Sequence, residues 1–164
     1  LVGHSDGGSI ALLMAALEPK LFKRMVLIAA HIYVEPKMAQ GLELIQAAAQ
    51  APPLRNTLRK EHGAQAESLV RAWIDAWKQH GSETLKLRPF LSQISCPTLI
   101  IQGSEDEHAT PKHAHDLAKG LQNSQLWLIP GVAHMPMHEK PQFFNQRLIA
   151  FLQEQPPIRG EIEP

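Results

Sequence analysis

The sequence predicts an α/β domain in which a doubly wound parallel sheet carries a helical insertion. Three runs of consecutive apolar residues are typical of strands that a parallel sheet buries on both faces. These runs are Met25–Ile28, Thr98–Ile101 and Leu126–Ile129. Segments with helical periodicity separate them, and the alternation of strand and helix is the pattern of a doubly wound α/β fold.

The first residues read as the end of a strand, a tight turn and a helix. In that helix apolar residues recur at the i, i+3, i+4 and i+7 positions that form one face, and we expect this face to pack on the core. The residues are Ile10, Leu13, Met14 and Leu17. Pro19 ends the helix. Because the chain enters directly into a strand, we also expect sequence upstream of Leu1 in the complete protein.

The stretch from His31 to Ser95 breaks the alternation, because it contains no convincing strand. Three segments of it read as helices, namely Leu42–Gln50, Leu54–His62 and Ala66–Gln79. At about 65 residues the stretch exceeds the dozen or so that a crossover connection needs. We therefore expect a helical cap over the carboxyl edge of the sheet. Ordinary crossover helices packed on the sheet are the alternative.

Two amphipathic helices complete the pattern. Thr110 is expected to cap the first of them, with Pro111 at its first position. Its apolar stripe is Ala114, Leu117, Ala118 and Leu121. The second begins at Pro141, ends before Pro156-Pro157, and carries Phe144, Leu148, Phe151 and Leu152 on one face. The chain thus divides into a first core part (1–30), the helical cap (31–95), a second core part (96–155) and a tail (156–164).

Composition narrows the classes of partner. Lys+Arg and Asp+Glu both number 16, so the net charge is zero and no nucleic-acid footprint is indicated. No apolar run approaches the ~20 residues of a membrane-spanning helix, so a membrane role is not expected. The single cysteine, Cys96, is compatible with a reducing compartment, and a cytoplasmic location is the expectation.

A motif typical of an activated serine lies at the first turn. Gly3-His4-Ser5-Asp6-Gly7 matches the pattern G-x-S-x-G, with an apolar strand end before it and a helix after it. A serine hydroxyl is a poor nucleophile that needs both exposure and a base, and a sharp strand-to-helix turn supplies the exposure. Small residues are expected on each side because the backbone folds tightly there. The motif therefore predicts a nucleophile at Ser5.

The partners of such a serine should follow in the order acid, then histidine. Asp106 lies just past the apolar run Thr98–Ile101, and His134 lies just past Leu126–Ile129. Both therefore fall at carboxyl ends of strands, where open α/β sheets bind their ligands. We expect His134 to act as the general base and Asp106 to orient it. The backbone N–H of Asp6 would stabilise the oxyanion.

Other residues compete for these roles. Glu105 and Glu107 flank the predicted acid, and Glu35 follows another strand. His4 is grouped with Asp6 among the oxyanion-stabilising and substrate-binding residues, and we expect it to pack or form a hydrogen bond at the turn. His138 is assigned to the rim of the pocket or to the start of the last helix.

A metal site is not predicted. His108, His113 and His115 resemble a metal cluster, but residues two apart on a helix do not share a face, and no ligand set has workable spacing. We therefore expect neither a metal nor another cofactor.

Three segments resemble the nucleophile, acid and histidine motifs of α/β-hydrolase superfamily enzymes. They are VGHSDGGS (2–9), PTLIIQGSED (97–106) and PGVAHMPMHEKP (130–141). The resemblance covers nearly the whole chain, and Ser-Asp-Gly-Gly with a cap of this size is most similar to the biphenyl hydrolase-like group, to which valacyclovir hydrolase belongs. It implies the C-terminal part of an α/β-hydrolase fold, because members carry further strands and an oxyanion loop before the serine.

The expected function is hydrolysis of a carboxylic ester, or a related acyl bond of a small molecule, through an acyl-serine intermediate. A serine in the nucleophile position argues against haloalkane dehalogenases and epoxide hydrolases, whose relatives use Asp there. One alternative is a non-catalytic fragment or interaction module that retains the motif. Another is a C–C bond hydrolase of aromatic degradation, which shares the same three residues. The 164-residue chain by itself is expected to be inactive.

Overall fold

The structure is a computed structural model that describes residues 1–84 and 86–153. The strands are β1 (Val2–His4), β2 (Met25–Ile28), β3 (Thr98–Gly103) and β4 (Ser124–Ile129). The helices are α1 (Asp6–Leu17), α2 (Pro36–Gln50), α3 (Pro52–His62), α4 (Ala66–Thr84), α5 (Lys112–Gly120), α6 (Pro136–Glu139) and α7 (Pro141–Leu152). Two short 3₁₀ helices cover Gly63–Gln65 and Arg88–Gln93.

The four strands form one parallel sheet in the order β1-β2-β3-β4. Gly3 pairs with Leu27, Leu27 with Ile100, and Ile100 with Leu126. Because all strands run the same way, their carboxyl ends meet at one edge, which brings together the loops that begin at Ser5, Ala29, Ser104 and Pro130.

Helices cover both faces of this sheet, which confirms the predicted fold class. Successive residues of a strand point to opposite faces, so Leu27 joins the core cluster beneath α1 and α5, whereas Val26 joins the cluster beneath α7. Leu12 and Leu117 anchor the first cluster, and Phe144 belongs to the second. Both faces of the sheet are therefore buried against helices, as the continuous apolar runs predicted.

The predicted buried face of α1 is wrong. Ile10, Leu13, Met14 and Leu17 are exposed, and the helix instead buries Gly8, Ser9, Ala11, Leu12, Ala15 and Ala16. The physical reason is that small side chains let the helix approach the sheet closely, and the Ser9 hydroxyl donates to the carbonyl of His31 at 2.6 Å. The apolar stripe therefore lies on the outer surface of the described chain.

The helices of the second core part differ from prediction only in detail. Ala114, Leu117 and Leu121 are buried as expected, but α5 begins at Lys112, and the Thr110 side chain bonds Glu35 instead of capping it. In α7 the two phenylalanines of the predicted face, Phe144 and Phe151, are buried, whereas Leu152 is 43% exposed. Pro156-Pro157 and the predicted tail lie outside the described residues.

Residues 36–84 are helical apart from Ala51, with α2 beginning at Pro36, earlier than predicted. Pro36 occupies the first helical position, where its missing N–H costs no hydrogen bond, and Glu35 precedes it. Ala66 and Ile74 are buried where α4 packs on its neighbours. Across the described ranges, no helix combines the length and the apolar character that crossing a membrane requires.

Candidate active site

Ser5 occupies the turn between β1 and α1 in an unusual backbone conformation. Its φ of 55° is in the region that a residue with a side chain seldom adopts. The Ser5 N–H donates to the Ile28 carbonyl at 2.8 Å, and its own carbonyl accepts from the Gly8 N–H at 2.9 Å. These bonds hold the turn in its strained shape, which presents the serine at the carboxyl edge of the sheet.

Two glycines, Gly3 and Gly8, make this turn sterically possible. A Cβ on Gly3 would collide with the carbonyl of Gly7 and lie 2.8 Å from the Gly8 Cα, and one on Gly8 would lie 2.6 Å from the Ala30 Cβ. Gly7, the last residue of the motif, differs, because a Cβ there would meet no atom of the described chain within 4 Å. The expected need for a small residue therefore holds at Gly3 and is wrong at Gly7. On the helix side of the turn, it is Gly8 that must be small.

Asp106 and His134 form a buried hydrogen-bonded pair. Asp106 Oδ2 lies 2.8 Å from His134 Nδ1, and the side chains are 0% and 8% exposed. Asp106 also accepts from Gln102 Nε2 at 2.6 Å and from the backbone N–H groups of His108 and Ala109 at 2.8 and 3.1 Å. Burial by itself raises the pKa of the Asp106 carboxyl, but the hydrogen bond from His134 and those from the backbone outweigh it and hold that pKa below its usual value.

This pairing determines which nitrogen of His134 is available. A carboxylate that accepts from Nδ1 fixes the proton there and leaves Nε2 as the basic nitrogen. Ser5 and His134 line the same cavity, although within residues 1–84 and 86–153 their side chains are not hydrogen-bonded to each other. Such contacts are often long in a site without substrate, so this geometry is compatible with proton transfer.

Two glutamates that sequence reasoning did not assign hold the loop around His134. Glu139 accepts hydrogen bonds from the N–H groups of Ala133 and Met135 at 2.9 and 3.2 Å, and Glu107 accepts from the N–H of His134 at 3.1 Å. Three successive N–H groups thus point at carboxylates. The role of Glu107 and Glu139 depends on how closely two loops approach each other, and no spacing rule applied to the sequence identifies it.

Two more imidazoles contact the His134 ring. His4 Nε2 lies 3.0 Å from the His134 carbonyl, and the two rings are 4.8 Å apart. The His108 ring packs edge-on to His134 at 4.6 Å. Burial lowers the pKa of both His4 and His108, so both are neutral near pH 7 and add no positive charge beside His134. His108, which resembled part of a metal cluster, instead lines the cavity of Ser5.

The cavity that Ser5 lines has a volume of about 90 Å³. It lies between the carboxyl edge of the sheet and the helices of residues 36–84, which we call the helical segment. Ser5, Asp6, His31, His108 and His134 line it from the core, and Met38, Gly41, Leu42, Ile45, Trp73 and Trp77 line it from α2 and α4. One side is therefore polar and titratable, and the other is mainly apolar. Such a cavity suits a small, largely uncharged organic group.

Asp6 connects the turn to the helical segment. Its Oδ2 accepts hydrogen bonds from the indole N–H groups of Trp73 and Trp77 at 2.8 and 3.1 Å, and its Oδ1 lies 3.3 Å from His31 Nε2. Burial by itself raises the pKa of Asp6, but the hydrogen bonds from His31 and the two indoles outweigh burial and lower that pKa. The backbone N–H of Asp6 lies in the first turn of α1, where N–H groups have no partner within the helix.

The other sequence candidates lie elsewhere. Glu35 accepts from the N–H and hydroxyl of Thr110, the latter at 2.8 Å, and its Oε1 lies 3.6 Å from His113 Nε2. Glu35 therefore lies beside His113 and not beside His134. His113 is buried and His115 exposed, so they lie on different faces of α5. No group of three metal-binding side chains occurs among the described residues. His138 is exposed on α6.

The chain is similar to known hydrolases over most of its length. It is 30% identical over 159 residues to the serine hydrolase BPHL of Mus musculus, covering 93% of this chain and 54% of that protein. It is 24% identical over 176 residues to 2-hydroxy-6-oxononadienedioate/2-hydroxy-6-oxononatrienedioate hydrolase of Paraburkholderia xenovorans, covering 93% and 61%. The crystal structure of MGS-M2, an α/β hydrolase enzyme from a Medee basin deep-sea metagenome library, superposes with a TM-score of 0.68 at 26% identity, covering 98% and 66%.

The chain thus spans only 54% and 61% of these two curated relatives. The sequence profile of the alpha/beta hydrolase family matches residues 1–147, which is most of the chain. The MGS-M2 structure has the same fold over 98% of this chain. The chain therefore belongs to the alpha/beta hydrolase family.

Proposed function

We propose that the protein containing this chain is a serine hydrolase that cleaves a carboxylic ester through an acyl-serine intermediate. The observation that carries the proposal is the buried Asp106–His134 pair, 2.8 Å apart, whose histidine lines the same cavity as Ser5. An orienting acid, an imidazole and an exposed serine are the parts that acyl transfer needs. The relatives named as hydrolases support the general class.

The proposed first step is attack of Ser5 Oγ on the ester carbonyl carbon. His134 Nε2 takes the hydroxyl proton as the Oγ–C bond forms, and then gives it to the leaving alcohol as the ester C–O bond breaks. Asp106 keeps the proton on Nδ1 and stabilises the imidazolium. The Asp6 N–H donates to the oxyanion at the positive end of α1. Water then releases the acid by the same proton transfers, so the reaction requires no cofactor.

Residues 31–95 act in this proposal as a cap over Ser5. From α2 and α4 they contribute Met38, Leu42, Ile45 and the two tryptophans, which form an apolar wall, and His31 also lines the cavity. An apolar wall excludes water and accepts the hydrocarbon part of a substrate. His4 is a positioning residue in this proposal, because its Nε2 lies within hydrogen-bond distance of the His134 carbonyl.

The test is labelling with a fluorophosphonate probe, located by mass spectrometry of the digested protein. It should be applied to the 164-residue chain and to a protein extended at its N-terminus to the length of the relatives. In the extended protein the probe should modify Ser5 and no other serine, and Ser5→Ala should lose nearly all turnover of p-nitrophenyl acetate. The chain alone should hydrolyse this ester no faster than background. Full activity of Ser5→Ala would contradict the proposal, and no labelling in either form would favour a non-catalytic module.

C–C bond hydrolysis is the second candidate, because one relative is named a 2-hydroxy-6-oxononadienedioate hydrolase, and that keto acid has no ester bond to cleave. The discriminating experiment compares kcat/KM of the extended protein for p-nitrophenyl esters and for a vinylogous 1,5-diketone. Ester hydrolysis with no cleavage of the diketone supports the proposal above. A preference for the diketone would replace it with the C–C reaction at the same three residues.

A further inference from the structure

A second cavity lies inside the helical segment, away from Ser5. It has a volume of about 220 Å³, more than twice that of the cavity at Ser5, and lies between α2, α3 and α4. Its apolar lining includes Leu58, Val70 and Ile74, and Ile74 is only 4% exposed. The mechanism proposed above uses none of these residues. The cavity therefore requires a separate account.

The rim of this cavity carries more positive than negative charge. Arg55, Arg71 and Lys78 line it together with two carboxylates, Glu67 and Asp75. Glu67 already accepts from Arg59 at 2.5 Å, so its charge is balanced from outside the lining. The remaining charged groups of the lining are three cations, Arg55, Arg71 and Lys78, and one carboxylate, Asp75. An anion is therefore favoured at this rim.

Arg55 provides a more specific signal. Within the described residues its Nε is buried and has no hydrogen-bond partner. A buried donor without an acceptor costs free energy, and a guanidinium is shaped to bond a carboxylate through two parallel N–H groups. Because this Nε is enclosed by the chain, a ligand carboxylate would pair with the other atoms of the Arg55 guanidinium, through which Arg55 lines the cavity.

We propose that this cavity binds an amphipathic monocarboxylate, with its chain against Leu58, Val70 and Ile74 and its carboxylate at Arg55 and Arg71. A ligand of about ten non-hydrogen atoms matches the available volume and would bind with a Kd of about 0.1 to 1 mM. Binding requires no reaction at Ser5. The proposal is therefore independent of the proposed hydrolysis.

Both cavities border α4, which provides a readout. On α4, Trp73 and Trp77 face the Ser5 cavity, whereas Val70 and Ile74 face the second one. A ligand against Val70 and Ile74 should therefore alter the environment of the neighbouring indoles. In a Trp127→Phe variant these two are the remaining tryptophans of the chain, and their fluorescence reports on α4.

The experiment titrates octanoate into the chain, followed by calorimetry and by the fluorescence of Trp127→Phe. Octanol and octylamine are the matched neutral and cationic probes, and the binding of each should be at least tenfold weaker. Arg55→Gln and Arg71→Gln should each weaken octanoate about tenfold, because each removes a charge-assisted hydrogen bond. Lys60→Gln is the control, since Lys60 is exposed on α3 and does not line the cavity.

Ser5→Ala should bind octanoate with unchanged affinity, which separates this site from the reaction. Circular dichroism of each variant checks that it is folded, and Arg71, which is exposed, provides a substitution with little risk to folding. The proposal is overturned by an absence of saturable octanoate binding, by equal affinity for octanol, or by an equal loss in Lys60→Gln. Competition between octanoate and a fluorophosphonate at Ser5 would likewise place the ligand in the other cavity and overturn it.

Discussion

The indole N–H of Trp73 donates a hydrogen bond of 2.8 Å to the carboxylate of Asp6, the residue that directly follows Ser5. The indole N–H of Trp77 donates to the same carboxylate oxygen at 3.1 Å, and both indoles belong to α4. The carboxylate next to the proposed nucleophile is therefore a contact point for the helical segment as well as the start of α1. The hydrogen bonds from the two indoles should therefore affect how the Asp6 carboxylate interacts with a substrate.

The first prediction concerns substrate charge. Trp73→Phe and Trp77→Phe keep an aromatic ring but remove the N–H donor, which leaves Asp6 with unused acceptor capacity. If Asp6 recognises a cationic group, kcat/KM for an α-amino ester should exceed that for its des-amino analogue. The preference should shrink in Asp6→Asn and grow in the two phenylalanine variants. Equal changes for both esters would restrict Asp6 to a structural role. Trp127→Phe is the matched control.

The second prediction concerns the acid. Asp106→Asn should keep the fold and lower kcat of the extended protein by about 10⁴, because the amide no longer fixes the tautomer of His134. Glu35→Gln should have much less effect, since Glu35 bonds Thr110 and lies near His113 instead. Steady-state kinetics of the two variants measure this. The reverse order of effects would show that the acid is misassigned.

The third prediction concerns the turn glycines. Gly3→Ala and Gly8→Ala should lower the free energy of unfolding by about 1–3 kcal/mol, because the new methyl group meets backbone or the Ala30 side chain. Gly7→Ala should be neutral or stabilise the chain, since alanine is favoured over glycine within a helix by about 0.5–1 kcal/mol. Thermal and urea unfolding of the three variants provide the comparison. A loss of stability in Gly7→Ala as large as in Gly3→Ala would contradict the steric argument.

The fourth prediction concerns stability at mildly acidic pH. Burial lowers the pKa of His113 from 6.5 to about 4. The unfolded chain therefore takes up a proton there first, so the free energy of unfolding should fall as pH drops from about 6.5 to 4. The slope should approach about 1.4 kcal/mol per pH unit for each such proton. Urea unfolding at a series of pH values measures it.

His113→Gln keeps an acceptor for the Ile32 N–H and removes the titration, so its stability should depend less on pH in this range. His115→Gln, on the exposed side of the same helix, is the control and should follow the parent chain. Below about pH 4, Asp6 and Asp106 should add a further loss, because their pKa values are lowered in the folded chain. An unchanged profile for His113→Gln would assign the acid sensitivity to other groups.

The sequence by itself determined the buried strands of a parallel sheet and the order of the candidate site residues along the chain. Continuous apolar runs require burial on both faces, and this identified β2, β3 and β4 within a few residues of their observed bounds. Parallel strands gather their carboxyl ends at one edge, so residues just past each strand are expected near one another. That rule placed Asp106 beside His134 and both near Ser5, although 28 residues separate the first two.

Only the tertiary structure decided which face of α1 is buried and which side chains hold the site. Periodicity identified an apolar stripe through Leu13, but small residues allow a closer approach, so the opposite face packs on the sheet. The bonds from Trp73 to Asp6, from His134 to Glu107 and from Thr110 to Glu35 join segments whose separation depends on packing. Hydrogen-bond partners require positions within ~3 Å, and local sequence patterns do not encode distances between elements.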